Sequence, residues 1–451
     1  MSPETITQTS FIEGEINKYS AEQQNRISLK LRELDVDWSK TDKIKKGGQF
    51  SVAVNKSKTR VMAGEKIDIS VTVKNTGADP TEQLYAITKS DNPVFNDKEY
   101  VFGKIPAGGV KSWTNSFEVP KWALSRDDKI ELIFKDNNKE LINHSLNVQT
   151  VQLQRPRFAF NYEIIDDGRF DTKGNGNSIA ETGELIGLKL KLKNTGNGQS
   201  EKSTLLLKNN LGEDLYLKKG RIKLENIKPN EVREEVFLFS VNNPIKVLDL
   251  EFQIIDDIFR EGITKKINLR IPESLANNIT KKSKYLVNSD SVPVYGSPFE
   301  SSSIVAYASK NSVFESEQSN SMWAKVSLDS SSSGWINKKF LAVPQQTNTA
   351  EASGIYTPFY QQSPYIALEK MPLLLNEKEI SLRGTIKDSD GVKLITVYLG
   401  EDKVFLKNFY TDSAALNTKI SLKSGVNYIN IFAKDKLGLV SKKTYIVRYD
   451  A

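Results

Sequence analysis

The sequence predicts a mainly β protein, built from several sandwiches and one small barrel behind a single N-terminal helix. From residue 49 onward apolar residues recur at a period of two, and a 14-residue segment returns about 120 residues later in recognisable form. Asn, Asp and Gly punctuate the apolar runs at short intervals, as hairpin connections require.

At 451 residues the chain exceeds one ordinary core, and usual domain sizes predict about three or four modules. Hydrophobic residues make up 38% and charged residues 26%, a composition that folds and stays dissolved. The net charge of +7 is spread among acids without a basic run, so it reads as a solvated lysine-rich surface and no nucleic-acid partner is expected. There is no cysteine, which excludes disulfides, zinc-thiolate sites, iron–sulfur clusters and a cysteine nucleophile. No segment approaches the about 18 apolar residues of a membrane span. The start, Met1-Ser-Pro-Glu-Thr-Ile-Thr, lacks the basic and apolar regions of an export signal. A site of action outside the cytoplasm would therefore require a longer precursor.

Residues 1–48 form a helical segment with a polar linker. Ile16, Tyr19, Gln23, Ile27, Leu31 and Leu34 recur at three- and four-residue spacing, which predicts an amphipathic helix within 10–37. Ser20-Ala-Glu-Gln-Gln also reads as a capping box, so a break into two shorter helices stays open. Asp35-Val-Asp-Trp38 ends the pattern.

Two sandwiches follow, at 49–154 and 155–273. Gly64-Glu-Lys-Ile-Asp-Ile-Ser-Val-Thr-Val-Lys-Asn-Thr-Gly77 returns as Gly183-Glu-Leu-Ile-Gly-Leu-Lys-Leu-Lys-Leu-Lys-Asn-Thr-Gly196, with seven of fourteen positions identical. Gly103-Lys-Ile-Pro-Ala-Gly108 parallels Glu225-Asn-Ile-Lys-Pro-Asn230 downstream, and Ile130-Glu-Leu-Ile-Phe-Lys-Asp136 parallels Leu250-Glu-Phe-Gln-Ile-Ile-Asp256. Each copy holds some six to eight short strands, the pattern of an immunoglobulin-like sandwich. On these residues both copies resemble CARDB-type domains, a bacterial adhesion-like family. The resemblance implies a seven-stranded sandwich that adheres to, or spaces, other domains.

The strands then shorten. Val292-Pro-Val-Tyr-Gly-Ser-Pro-Phe-Glu-Ser-Ser-Ser-Ile-Val305, Trp323-Ala-Lys-Val326 and Gly334-Trp-Ile-Asn-Lys-Lys-Phe-Leu341 resemble a bacterial SH3-like domain, placed at 284–345. The resemblance implies a small half-open barrel that contacts peptidoglycan or peptides. Tyr295, Trp323 and Trp335 are the candidate stacking residues for such a ligand, although the same tryptophans equally suit the filling of a very small core. Tyr295-Gly-Ser stands where that family carries Arg-Ser-Gly in its first loop.

Residues 346–370, rich in Gln, Thr, Ser and Pro, read as a linker. Residues 371–451 read as a last immunoglobulin-like sandwich, with strands at Ile380–Ile386, Leu394–Leu399, Val426–Phe432 and Thr444–Tyr449, and turns at Asp388-Ser-Asp-Gly391 and Lys423-Ser-Gly425.

Catalytic signals are sparse. His144 is the only histidine and falls in a strand pattern, and no nucleophile elbow, zinc-protease, P-loop or dinucleotide motif is present. One loop could hold a hard cation: Asp166, Asp171, Asn175, Asn177 and Glu181 supply oxygen ligands between glycines, which suggests calcium. Lys173 and the failure of EF-hand spacing oppose this, and such loops are also ordinary hairpin connectors.

Taken in order, Gln23 to Trp38, the two sandwiches with Arg157-Phe-Ala-Phe-Asn-Tyr-Glu-Ile-Ile-Asp166, the barrel and the last sandwich resemble the C-terminal tail of bacterial tail-specific (carboxy-terminal processing) serine peptidases. In that family a PDZ domain and a Ser/Lys dyad precede such a tail, and neither is found in this chain. The resemblance therefore implies a non-catalytic scaffold or recognition region in the periplasm or outside the cell. Its expected partners are a protein substrate, an upstream peptidase domain, or peptidoglycan in the alternative reading as a wall-binding protein.

Overall fold

The computed structural model describes residues 18–23, 25–39, 49–259, 261–271, 283–316, 318–344, 356–369 and 371–450. The fold is mainly β, a series of sandwiches with one helix, among the described residues, at the N-terminal end.

Helix occupies 18–23 and 25–33, within the expected span; 10–17 lie outside the described residues. Among the described residues its apolar stripe is largely exposed, Tyr19, Ile27 and Leu34 at 66%, 52% and 61%. The chain is anchored just beyond it. Val36 is buried, Lys104 donates its backbone N–H to Asp37 O at 2.7 Å, and the Gln83 amide donates to Trp38 O at 2.9 Å. Gly103 makes this approach possible: its φ is +67°, and a Cβ there would lie 2.3 Å from Asp37 O.

The first sandwich sets Phe50–Lys56, Lys66–Asn75 and Val110–Glu118 against a five-stranded sheet formed by Arg60–Met62, Lys139–Val151, Arg126–Asp136, Leu84–Lys89 and Glu99–Gly103. The two-residue period has its direct consequence in Lys66–Asn75, where Ile67, Ile69, Val71 and Val73 point inward onto Phe95, Tyr100 and Phe134. The second sandwich repeats the design with two four-stranded sheets. One is Leu215–Lys219, Val232–Val241, Leu185–Asn194 and Phe158–Ile165; the other is Arg221–Ile227, Ser200–Asn209, Val247–Asp256 and Gly262–Arg270.

The repeated Asn-Thr-Gly does the same work in both copies. Asn75 and Asn194 are fully buried. Asn75 donates its amide to Asp79 O and Ile105 O and accepts from Gly77 N; Asn194 donates to Gly198 O and Ile227 O and accepts from Gly196 N. One side chain thus satisfies three backbone groups that the turn removes from the ladder.

A small module of two sheets follows. Val313–Ser316, Ser283–Val287 and Leu341–Ala342 form one; Trp323–Ser327, Ser333–Asn337, Val292–Tyr295, Ile304–Ala308 and Tyr356–Pro358 form the other. The stretch expected as a linker is ordered in its second half: Tyr356–Pro358 adds a strand to this module, Gln361 pairs with Phe160, and Tyr365–Leu368 opens the last sandwich. Residues 346–355 lie outside the described residues.

The last sandwich departs from the expected short strands. Glu379–Leu399 is one 21-residue strand that bends at Asp388–Gly391, where the ladder is interrupted and Gly391 takes φ +88°. Before the bend it pairs with Tyr365–Leu368, and beyond it with Gly425–Asp435. Its hairpin partner Asp402–Ser421 was not expected from the sequence, because its outer residues, among them Val404, Leu406 and Tyr410, are exposed and give no clean alternation. Among the described residues no helix is long and apolar enough to cross a membrane.

Candidate functional site

A strand with one face on a core should leave the other wet. Phe158–Ile165 is buried at all eight positions. Phe158, Phe160, Tyr162 and Ile164 fill the second sandwich, whereas Asn161 and Glu163 face the small module. Asn161 donates to Phe359 O at 2.5 Å, and Glu163 accepts the Ser333 N–H at 3.0 Å. The open edge of the strand is closed as well: Ile164 N donates to Gly296 O at 2.9 Å, and Phe160 exchanges backbone hydrogen bonds with Gln361. At Gly296 a Cβ would lie 2.0 Å from Tyr162 O, so only glycine permits this contact.

Lysines hold the same seam. Lys189 is 0% exposed; its Nζ lies 3.2 Å from Glu163 Oε1 and 3.1 Å from Glu234 Oε2, and donates to Ser331 O and Ser332 Oγ at 2.8 and 2.7 Å. Lys191 pairs with Glu234 and Asp329 at 2.8 and 3.0 Å. Burial works to raise Asp167, yet Arg169 and Lys325 beside it hold its carboxyl down at about 2.

The aromatic candidates lie in this seam. Trp323 and Trp335 are 3% and 2% exposed and share one apolar cluster with Phe299, Ile179 and the core of the second sandwich; Tyr295 packs on that cluster, edge-on to Trp323 at 5.5 Å. Of the two readings the sequence left open, Trp323 and Trp335 take the packing one, and Tyr295 is half-buried beside them. The neighbour that covers them comes from another module, which local sequence does not reveal.

The loop expected to hold calcium is folded on itself. Asp166, 0% exposed, accepts the N–H groups of Gly176 and Ser178 at 3.1 and 3.0 Å; Asn175 and Asn177 donate their amides to Glu181; Asp171 is exposed on a tight turn apart from them. Glu184, which the sequence reading did not single out as a ligand, accepts from Asn175 N and has a buried Oε2 without a hydrogen-bond partner. Burial lifts Asp166 to about 6; burial and the Asp166 charge lift Glu184 to about 7. The loop also clasps the small module, with Lys325 donating to Gly176 O, Gln318 to Asn175 O and Ser297 to Ser178 O.

The last sandwich closes on both earlier ones. Arg448 pairs with Asp91 at 2.9 Å and Arg126 donates to the Tyr428 hydroxyl at 3.3 Å, while Leu439 is buried in the apolar cluster of the second sandwich. Between the second and last sandwiches lies an open cleft of about 560 Å³, lined by Arg157, Lys193, Tyr360, Tyr365, Lys387 and Asp412. Arg157 stands 5.1 Å over the Tyr365 ring and Lys193 5.7 Å over that of Tyr360. His144 lies in Lys139–Val151, paired with Leu132.

No family model matches the chain, and no curated protein does. Among solved structures it is similar to the YadV chaperone, at 14% identity and a TM-score of 0.16, over 48% of this chain and 99% of that one. It is also similar to a transglutaminase of red sea bream, at 11% identity and a TM-score of 0.18, over 50% of this chain and 32% of that one. At these values neither likeness bears on function.

Proposed function

We propose that this chain is a non-catalytic scaffold that presents one fixed recognition surface to a protein partner, as the accessory region of a bacterial envelope serine peptidase. The observation that carries the reading is the closure of the modules on one another. The small module has its aromatic face sealed by Phe158–Ile165 and the 166–184 loop, and the last sandwich contacts both earlier ones. Modules that bind independent ligands are served by free linkers and open faces; these are locked, as a spacer that fixes geometry requires.

The partner surface in this reading is the cleft of Arg157, Lys193, Tyr360 and Tyr365, whose three cations, Lys387 among them, outnumber Asp388 and Asp412 and with the aromatic rings suit an acidic or carboxylate-terminated segment. The wall-binding alternative is disfavoured by the burial of Trp323 and Trp335. The test combines the intact chain with a purified tail-specific peptidase domain from the same organism, and separately with peptidoglycan sacculi. The scaffold reading expects a complex with the former that Lys193→Glu weakens at least about tenfold, no peptide-bond hydrolysis by the chain alone, and no sedimentation with sacculi. Hydrolysis by the chain alone, or sedimentation without any complex, would overturn it.

A further inference from the structure

The bend in Glu379–Leu399 brings together three carboxylates at the edge of the cleft, which Asp388 also lines. Asp388 and Asp390 flank the turn, and Asp435 comes from the end of the neighbouring strand; one carboxylate oxygen of each lies within 4.8 Å of the others. Two oxygens bound to one calcium at about 2.4 Å can be at most about 4.8 Å apart, so the spacing fits a shared ion. Asp388 is 8% exposed and Asp435 0%.

Buried carboxylates in such proximity are ordinarily neutralised by hydrogen bonds or a counter-charge. Asp388 Oδ1 accepts the Asp390 N–H at 2.8 Å, but the other two carboxylates run short. Asp435 Oδ1 accepts from Leu439 N at 2.7 Å, but its Oδ2 is buried without a hydrogen-bond partner, and Asp390 Oδ2 is in the same state. Three cations stand nearby, Lys265 acting on Asp390 and Asp435, Lys436 on Asp390 and Arg157 on Asp388, yet none donates a hydrogen bond to the two orphaned oxygens.

We infer that Asp388, Asp390 and Asp435 form a binding site for a hard divalent cation of the calcium class, separate from the 166–184 loop. All-oxygen donors select calcium or magnesium over softer metals. The ion ties the bend to the 435–439 turn, whose Leu439 inserts into the second sandwich, and so fastens the last sandwich to its neighbour.

The test uses the intact chain after chelator treatment, titrated with calcium chloride by calorimetry and followed by thermal melting, with Asp390→Asn, Asp435→Asn and Glu184→Gln beside it. Asp390→Asn is the decisive variant, since the half-buried Asp390 tolerates an amide even if Asp435→Asn fails to fold. The expected result is binding with a rise in melting temperature of about 2–4 °C. Asp390→Asn abolishes both and Glu184→Gln keeps both. Absence of binding heat, or binding that survives Asp390→Asn, overturns the inference; loss with Glu184→Gln alone would place the ion in the 166–184 loop and overturn it equally.

Discussion

Lys189 and Glu163 face each other across the ladder between Leu185–Asn194 and Phe158–Ile165, with Nζ 3.2 Å from Oε1, and both are buried where the small module meets them at Ser331 and Ser333. An ammonium with no exposure survives when its charge is matched and its protons are used; Glu163, Glu234, Ser331 and Ser332 do both. Lys189→Met leaves two carboxylates facing an apolar stem. The expected cost is about 3 kcal/mol or more, read as a lower denaturant midpoint, with partial recovery in Lys189→Met/Glu163→Gln. Equal stability of the single variant and the parent would show that the pair is not desolvated.

Trp335 is a packing residue at the same seam. Trp335→Ala removes a large buried ring, for which about 3–5 kcal/mol is expected. Melting and sacculus sedimentation, measured on the same preparation, separate packing from recognition: the first falls and the second stays at background.

Asn75 and Asn194 carry the repeat's structural content. Substitution of either by Ala leaves buried carbonyls unpaired, at about 1–3 kcal/mol each. Asn194→Ala is the more costly, because Asn194 Oδ1 also accepts the Arg157 N–H. Chemical denaturation of the two variants checks both the size and the order.

Stability depends on pH through carboxyls lifted by burial: Glu184 to about 7 and Asp166 to about 6. Unfolded, such groups titrate near 4. The folded chain therefore keeps protons that the unfolded chain releases between about pH 4 and 7, and stability falls as pH rises through that window. Asp167 acts oppositely, but its contribution is lost only below about pH 4. Melting temperature is expected to drop from pH 5 to pH 7.5, and Glu184→Gln to shallow the slope; a rise over that range would contradict the assignment.

Much of this architecture is written locally. The alternation in Lys66–Asn75 and its echo in Leu185–Asn194 define two sandwiches, and the shared Asn-Thr-Gly marks the same turn twice. What could not be read depends on distant partners. Trp335 looks alike whether it meets solvent or Ile179, and Glu163 shows its role only beside Ser333. Asp388-Ser-Asp-Gly391 is legible as a turn, but Asp435 reaches it through strand pairing rather than sequence proximity. The exposed flank of Asp402–Ser421 blurs the very periodicity that reveals buried strands.

The scaffold reading requires the small module to be locked on the second sandwich. Because the chain has no cysteine, spin labels can be placed at two engineered cysteines alone, at Tyr216 in the second sandwich and Val343 in the small module, 63% and 82% exposed. Pulsed electron-spin distance measurement on the intact chain is expected to give one narrow distribution, unchanged by added sacculi. A broad or bimodal distribution would contradict the locked scaffold.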